Sequence, residues 1–420
     1  MQACKRGEPS MTSNASRGWT TISMAFVVAM FEGVDIQSAG LVAPKISSLF
    51  GLSAGQLGWF FSASTIGLVF GALAGGRLGD RAGRKVSLIA SVVVFGVFSF
   101  ATAFSSSLST LVVARLLTGV GLGGALPNLI ALAAEGAPGD RRLFAVSLMY
   151  SGMPLGAGLA GLLLGLSPGG GDWRTIFEVG GIAPLALVPL IMVVLPESRE
   201  FRTSNQAIGS RNSVTEALFS GGRLSRTLVL WAGFFCCLLV LYLLLNWLPS
   251  LLVSRGLSRS QASIAQGVFN GTGAAGSVLM GVLMEGAFRR LAVAFVFLGL
   301  ASSLAAVAIL PATFPVVLFA LSAVGLTTLG SQVAFYNLAP SVYPIRSRGT
   351  GLGAAVAAGR IGSVMGPLLA GILLGQGKSS SQVLMSLLPL VIIAGGLGWF
   401  LAGRKASSEE VETTGAASMS

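Results

Sequence analysis

Gly76-Arg77-Leu78-Gly79-Asp80-Arg81-Ala82-Gly83-Arg84-Lys85 puts five charged side chains into ten residues, in a chain of 420 residues where only 10% are charged. Apolar stretches flank it, residues 55–78 before and 86–106 after. Each has about the 20 residues a helix needs to cross the hydrocarbon layer. A charged turn between two such stretches reads as a loop at a membrane surface. The same alternation runs through the chain, with further apolar stretches at about 19–43, 108–134, 143–166, 174–195, 227–253, 260–286, 291–310, 312–340, 349–375 and 382–403. All twelve are too long for barrel strands, so the sequence predicts an all-α integral membrane protein. Composition agrees: 53% of residues are AVILMFWYC and 58 more are Gly. The charged fraction falls far below the roughly 25% of soluble domains and could not cover a water-exposed surface. The first stretch is long and lacks a small-residue cleavage site, which predicts a retained span rather than a signal peptide.

Lys and Arg orient the spans, because cytoplasmic segments hold the excess of positive charge. With both termini inside, twenty of the 27 basic residues are cytoplasmic and five (Lys45, Arg174, Arg255, Arg259, Lys378) are outside. Arg115 and Arg360 remain within spans. The expected organisation is a cytoplasmic segment 1–18, a six-helix bundle 19–195, a cytoplasmic central loop 196–226, a second six-helix bundle 227–403 and a disordered cytoplasmic tail 404–420. The net charge of +12 then reflects the lipid bilayer rather than nucleic acid. No His is present, which excludes His proton relays and His-ligated zinc. Three Cys cannot build a disulfide framework. No phosphate-binding loop of the G-x-x-x-x-G-K-[ST] kind occurs, and Gly119–Gly124, which superficially resembles a dinucleotide fingerprint, sits inside a span with no strand before it. Neither cofactor nor metal is expected.

The two halves repeat one another. The turn after span 8, Gly281-Val-Leu-Met-Glu285-Gly-Ala-Phe288-Arg289-Arg290, copies the opening motif at an offset of 205. Pro138 and Arg142 recur as Pro344 and Arg348 at an offset of 206. Internal repeats are how many secondary transporters are built, with substrate held near the midplane between the halves. In these loops a carboxylate beside Arg at a helix end makes a charge-assisted contact that one packing of the halves forms and the other releases. Asp80, Arg81, Arg84, Glu135, Arg142, Glu285 and Arg348 are therefore gating candidates; the plainer alternative is a topology signal alone.

Ionisable residues inside spans are costly and so mark function. Glu32 and Asp35, three residues apart on span 1, are expected to share a helix face and to carry protons. Arg115 on span 4 lies at a similar depth, so an ion pair with them is expected. Arg360 lies about 16 Å into span 11, near midplane, at about 1.5 Å per residue. It needs an anionic or carbonyl partner, and a substrate carboxylate would serve. Arg115, Arg360, Asn128, Asn246, Trp247, Gln332 and Tyr336 are candidate substrate-binding residues, with Tyr242 and Asn270 as weaker ones. Amide and aromatic groups suit a hydroxylated ring, although packing or an interfacial belt is the plainer explanation of each of these taken alone.

The opening motif resembles the cytoplasmic signature of the major facilitator superfamily. Glu32-Gly33-Val34-Asp35, Thr118–Asn128 and Gly359-Arg360-Ile-Gly362-x-x-x-Gly366-Pro367 are similar to elements of its aromatic acid:proton symporter family. Ala125–Leu132, Val146–Tyr150 and Asn246-Trp-Leu-Pro249 extend the likeness. The resemblance implies two pseudo-symmetric six-helix bundles in a bacterial inner membrane, acting as a monomer. It implies proton-coupled uptake of a small aromatic carboxylate by alternating access, of the 3-(3-hydroxyphenyl)propionate type. Two departures stand out: Glu32 replaces the family's first helix 1 Asp, and Glu285 has no His to pair with. An efflux antiporter for amphipathic compounds shares the fold and is faintly favoured by Gly152, Pro154 and Gly156. A ligand sensor lacks an appended signalling domain. No nucleophile–base pair suggests an enzyme.

Overall fold

The structure, a computed structural model, describes residues 11–137, 142–167, 172–197, 223–285, 288–339, 342–343 and 348–403. The helices in chain order are α1 (Met11–Phe50), α2 (Ala54–Ala82), α3 (Arg84–Ala103), α4 (Leu108–Gly136), α5 (Arg142–Leu166), α6 (Trp173–Val194) and α7 (Leu224–Ser254). There follow α8 (Arg259–Glu285), α9 (Arg289–Ile309), α10 (Phe314–Leu338), α11 (Arg348–Gly375), α12 (Ser380–Met385) and α13 (Leu388–Ala402). Twelve spans result, the last of them, Ser380–Ala402, made from α12 and α13 together. The segment before Met11, most of the central loop and the tail 404–420 lie outside the described residues.

Helix ends differ from the predicted spans where hydropathy stops reporting on the backbone. α1 has 40 residues, about 60 Å at 1.5 Å per residue, twice the roughly 30 Å hydrocarbon layer. It begins at Met11, before the apolar stretch, because a helix continues into water once it is nucleated. The twelfth span is broken at Ser386 and Leu387, where Pro389 in the first turn of α13 has no N–H to continue the ladder. Capping boxes start four helices: Ser53 with Gln56 on α2, Ser107 with Thr110 on α4, Ser258 with Gln261 on α8, and Ser379 with Gln382 on α12. Each satisfies N–H groups that the first turn leaves free.

Within the first half α4 packs on α2 and α3, α3 on α6, and α5 on α1. Glycine allows the closest of these contacts. A methyl group on Gly71 would lie 2.1 Å from the Val120 carbonyl oxygen, and one on Gly156 would lie 1.9 Å from that of Met30. Gly156, with Gly152, is thus accounted for by the α1–α5 crossing, and the feature that favoured an antiporter has a packing explanation. In the second half α7 packs on α11, and α8 and α9 pack on α10.

The halves meet along α2–α11, α5–α8 and α1–α7. Their links lie at the end of the bundle away from Gly18 and Ala402. There the Gln37 side chain donates to the Leu245 carbonyl at 2.9 Å and accepts from Gln266 at 3.1 Å and Asn270 at 3.0 Å. Ser62 donates to the Val364 carbonyl at 3.0 Å. The Phe61 and Trp247 rings meet edge to face at 5.2 Å. One apolar cluster is continuous across this seam, from Leu244 and Phe269 to Ile46, Phe60 and Phe61, while a second around Phe95, Leu129 and Met149 stays within the first half.

Candidate functional site

The two carboxylates of α1 part company. Residues three apart on a helix are about 60° apart around its axis, enough to direct the pair toward different neighbours. Asp35 turns into its own half. Its carboxylate accepts from Arg115 Nη1 at 3.0 and 3.2 Å and from Ser99 Oγ at 2.5 Å. Arg115 Nη2 also donates to the Asp35 carbonyl at 3.3 Å, and the guanidinium stands 5.5 Å from the Phe177 ring centroid. Both residues are 1% exposed. The expected ion pair forms, with Asp35 alone, and α1, α3, α4 and α6 all contribute to closing it. Glu32 and Asp35 share a helix face as expected, and only Asp35 enters the ion pair.

Glu32 stays outside that pair. It is 1% exposed, and its Oε1 has no hydrogen-bond partner among the described residues. The charge acting on it is that of Arg360, on α11. Arg360 Nη1 donates to the Tyr242 hydroxyl at 2.7 Å, with its guanidinium carbon 6.0 Å from that ring. Its charge also acts on the hydroxyls of Tyr150 and Tyr336. The Tyr336 ring meets Phe234 edge to face at 5.1 Å. Tyr150, Gln332, Tyr336 and Arg360 are half-buried. The chain has only four tyrosines, and three of them, from α5, α7 and α10, converge on one arginine. A guanidinium held by a phenol offers a planar fork for a carboxylate, and the rings around it suit an aromatic body.

The remaining candidates lie elsewhere. Asn128 is 3% exposed and donates to Ser87 Oγ at 2.9 Å and to the Gly75 and Gly124 carbonyls at 3.3 and 2.8 Å, tying α4 to α2 and α3. Trp247 donates to the Pro367 carbonyl at 2.9 Å, joining α7 to α11. Asn246 donates to the Tyr242 carbonyl one turn back at 2.7 Å, and Asn270 belongs to the Gln37 seam. Asn128, Trp247 and Asn270 hold helices together, Asn246 bonds within its own helix, and none of the four bonds to Arg360. The reason is that a buried amide or indole N–H must find a partner, and here neighbouring backbone supplies most of them. Tyr150 and Gln37 were missed as individual residues. The available signal was the scarcity of tyrosine and the presence of Gln inside an apolar span.

At the end nearer the termini, Arg84 Nε and Glu135 Oε1 lie 3.8 Å apart, linking α3 to α4. Glu197, which the sequence did not single out, accepts from the Lys85 backbone N–H at 3.1 Å beside the positive-φ Gly83, and Lys85 Nζ donates to the Met192 carbonyl at 2.6 Å. Arg81 is exposed in the last turn of α2. Asp80, Arg142, Glu285 and Arg348 lie in helices, but their side chains are outside the described residues, as are Pro138 and Pro344.

The profile of the Major Facilitator Superfamily matches residues 25–367. The chain belongs to that superfamily. Over 394 residues it is 44% identical to a 3-(3-hydroxy-phenyl)propionate transporter of Escherichia coli strain K12, covering 94% of this chain and 96% of the relative. It is 34% identical to a gallate transporter of Pseudomonas putida over 92% of this chain and 91% of the relative. It is 32% identical to a 4-hydroxybenzoate transporter of the same species over 88% and 89%. This major facilitator protein therefore sits among carriers of aromatic acids and is a transporter rather than an enzyme. It is a multi-pass protein of the bacterial inner membrane. Two solved structures share its fold. One is a bacterial homologue of the lysosomal transporter Spinster, inward-facing and occupied, with TM-score 0.74, 17% identity and coverage of 91% of this chain and 96% of that one. The other is the Escherichia coli xylose transporter, partially occluded and inward open, with TM-score 0.72, 19% identity and coverage of 92% and 96%.

Proposed function

We propose that this facilitator is a proton-coupled symporter that takes up an aromatic monocarboxylate, 3-(3-hydroxyphenyl)propionate or a related phenylpropionate, by alternating access. The observation that carries the reading is Arg360 bonded to the Tyr242 hydroxyl at 2.7 Å in one half, with the buried Glu32 carboxylate, whose Oε1 has no partner among the described residues, in the other. Arg360 would take the substrate carboxylate, the three tyrosines would border its ring, and Glu32 would hold the proton. Asp35 and Arg115, already paired inside one half, would keep α1 in place. The relative at 44% identity, named for a phenylpropionate, supports that substrate. The excess of Lys and Arg on the termini side supports both ends being cytoplasmic. On that orientation the Gln37 seam closes the outer face, and the conformation is inward-facing. Labelled 3-(3-hydroxyphenyl)propionate should accumulate in proteoliposomes when the outside is acid, and a protonophore should abolish it. Uptake no greater than in protein-free vesicles would refute the reading.

A further inference from the structure

We propose that the second bundle holds one anionic phospholipid at its end away from the termini, with an acyl chain in the groove between α9 and α10 and the headgroup phosphate on Arg255. The inference does not depend on which substrate is carried. On the orientation proposed above, the lipid belongs to the outer leaflet.

The groove has a volume of about 800 Å³. Gly299 and Ala306 from α9 and Ala320 and Ala323 from α10 are too small to fill it, and Phe295 and Phe319, 62% and 82% exposed, border it. It extends along α9 from Phe295 to Leu310, about 22 Å at 1.5 Å per residue. One leaflet offers about 15 Å of hydrocarbon, so a whole acyl chain can lie in the groove. The hydroxyls in its wall are turned to their own helices: Ser302 donates to the Gly299 carbonyl, Ser303 to that of Leu300 and Thr327 to that of Ala323. An occupant of this wall is therefore apolar along its length.

The end of the groove is charged. Leu310 lines it, and the Leu310 carbonyl accepts from Arg255 Nη2 at 2.7 Å, while Arg255 Nη1 donates to the Val307 carbonyl. A guanidinium has five N–H donors, so two hold the end of α9 and three are left for a phosphate. Ser254, next to Arg255, bonds to the Ser380 hydroxyl, which brings the exposed Lys378 to the same corner. Arg259 opens α8 at this end as well. No carboxylate of the second bundle offsets these cations: between Glu216 and Glu409 the only acid is Glu285, at the opposite end of α8. Arg pairs with phosphate through parallel N–H bonds, and each cation at a membrane surface favours an anionic headgroup about fivefold. A second copy of the chain suits the groove less well, because a two-fold interface within the membrane would set these cations against their own copies.

The test is native mass spectrometry of the delipidated full-length protein in detergent, titrated separately with dioleoyl phosphatidylglycerol and with phosphatidylcholine of the same chains. The first phosphatidylglycerol should bind at least about fivefold more tightly than the first phosphatidylcholine. Lys378→Gln changes an exposed side chain; it should weaken phosphatidylglycerol about fivefold and leave phosphatidylcholine as it was. Ala306→Phe puts a ring into the groove and should remove the tight first binding of phosphatidylglycerol. Equal affinities for the two lipids, or variants that bind as the parent does, would mean an unspecific lipid annulus and overturn the proposal. Displacement of the lipid by glycerol phosphate would mean an anion site without an acyl chain and overturn it too. A dimer that Ala306→Phe abolishes would give the groove to a second copy instead. If Ala306→Phe does not fold, the two wild-type titrations and Lys378→Gln decide.

Discussion

Asp35→Asn removes one charge from a pair whose side chains are 0% and 1% exposed and whose closest atoms are 3.0 Å apart. With an effective dielectric of about 20, Coulomb's law gives about 5 kcal/mol at that distance. Breaking a buried pair costs about 3–5 kcal/mol in measured cases, because the remaining charge is left uncompensated. Ser99 can still donate to the new amide oxygen, so the loss belongs to Arg115. The expected destabilisation is therefore about 3–5 kcal/mol, read as the shift in unfolding free energy during titration of mixed micelles with a denaturing detergent. Arg115→Met should cost a similar amount, because it strands the carboxylate instead. The double change Asp35→Leu with Arg115→Met removes both charges and should return to within about 2 kcal/mol of the parent, since apolar replacement of a buried pair is often neutral. It should also keep pH-driven uptake if Glu32 holds the proton. Single variants within about 1 kcal/mol of the parent would mean the pair is solvated. A folded double variant that exchanges substrate but no longer responds to pH would return Asp35 to the proton path.

Tyr242→Phe deletes the phenol that receives Arg360 Nη1 at 2.7 Å, and hydrogen bonds to charged groups contribute about 1.5–3 kcal/mol. The apparent KM for uptake should rise at least about tenfold with folded yield unchanged; an unchanged KM would remove Arg360 from the binding site. Arg360→Lys should also weaken uptake about tenfold or more, because a point-charge ammonium does not reproduce the planar fork, and equal activity of the two would argue against carboxylate recognition there. Gln37→Ala deletes three hydrogen bonds across the seam, each contributing about 1 kcal/mol. Spin labels at Gly55 and Gly375 should then report a longer population between α2 and α11, and an unchanged distance distribution would deny the seam a gating role. Gly156→Leu places side-chain atoms where a methyl already meets the Met30 carbonyl at 1.9 Å; folded yield in detergent should collapse, and a normal yield would show that α1 and α5 can separate.

Much of this architecture could be read from residue order. Hydropathy located all twelve spans, because the bilayer imposes one length and one polarity on each. Lys and Arg counts gave an orientation, and the 205-residue offset exposed the repeat. The depth argument brought Arg115 level with the acids of α1. Helix ends were less legible: α1 extends well past its apolar stretch, and the final span is broken at Ser386 and Leu387. Hydropathy reports where lipid is, not where backbone hydrogen bonds stop.

Sequence by itself determined which side chains are expensive to bury, namely Glu32, Asp35, Arg115 and Arg360, and that each therefore requires a counterpart. Only tertiary structure decided who that counterpart is. Asp35 and Glu32 are one turn apart, yet α4 supplies the partner of one and α11 the charge facing the other, residues 80 and 328 positions away along the chain. The convergence of Tyr150, Tyr242 and Tyr336, and the diversion of Asn128 and Trp247 into helix contacts, depend in the same way on neighbours that only packing creates. A side chain's polarity is local information, whereas the direction it faces is set by helices from distant parts of the chain.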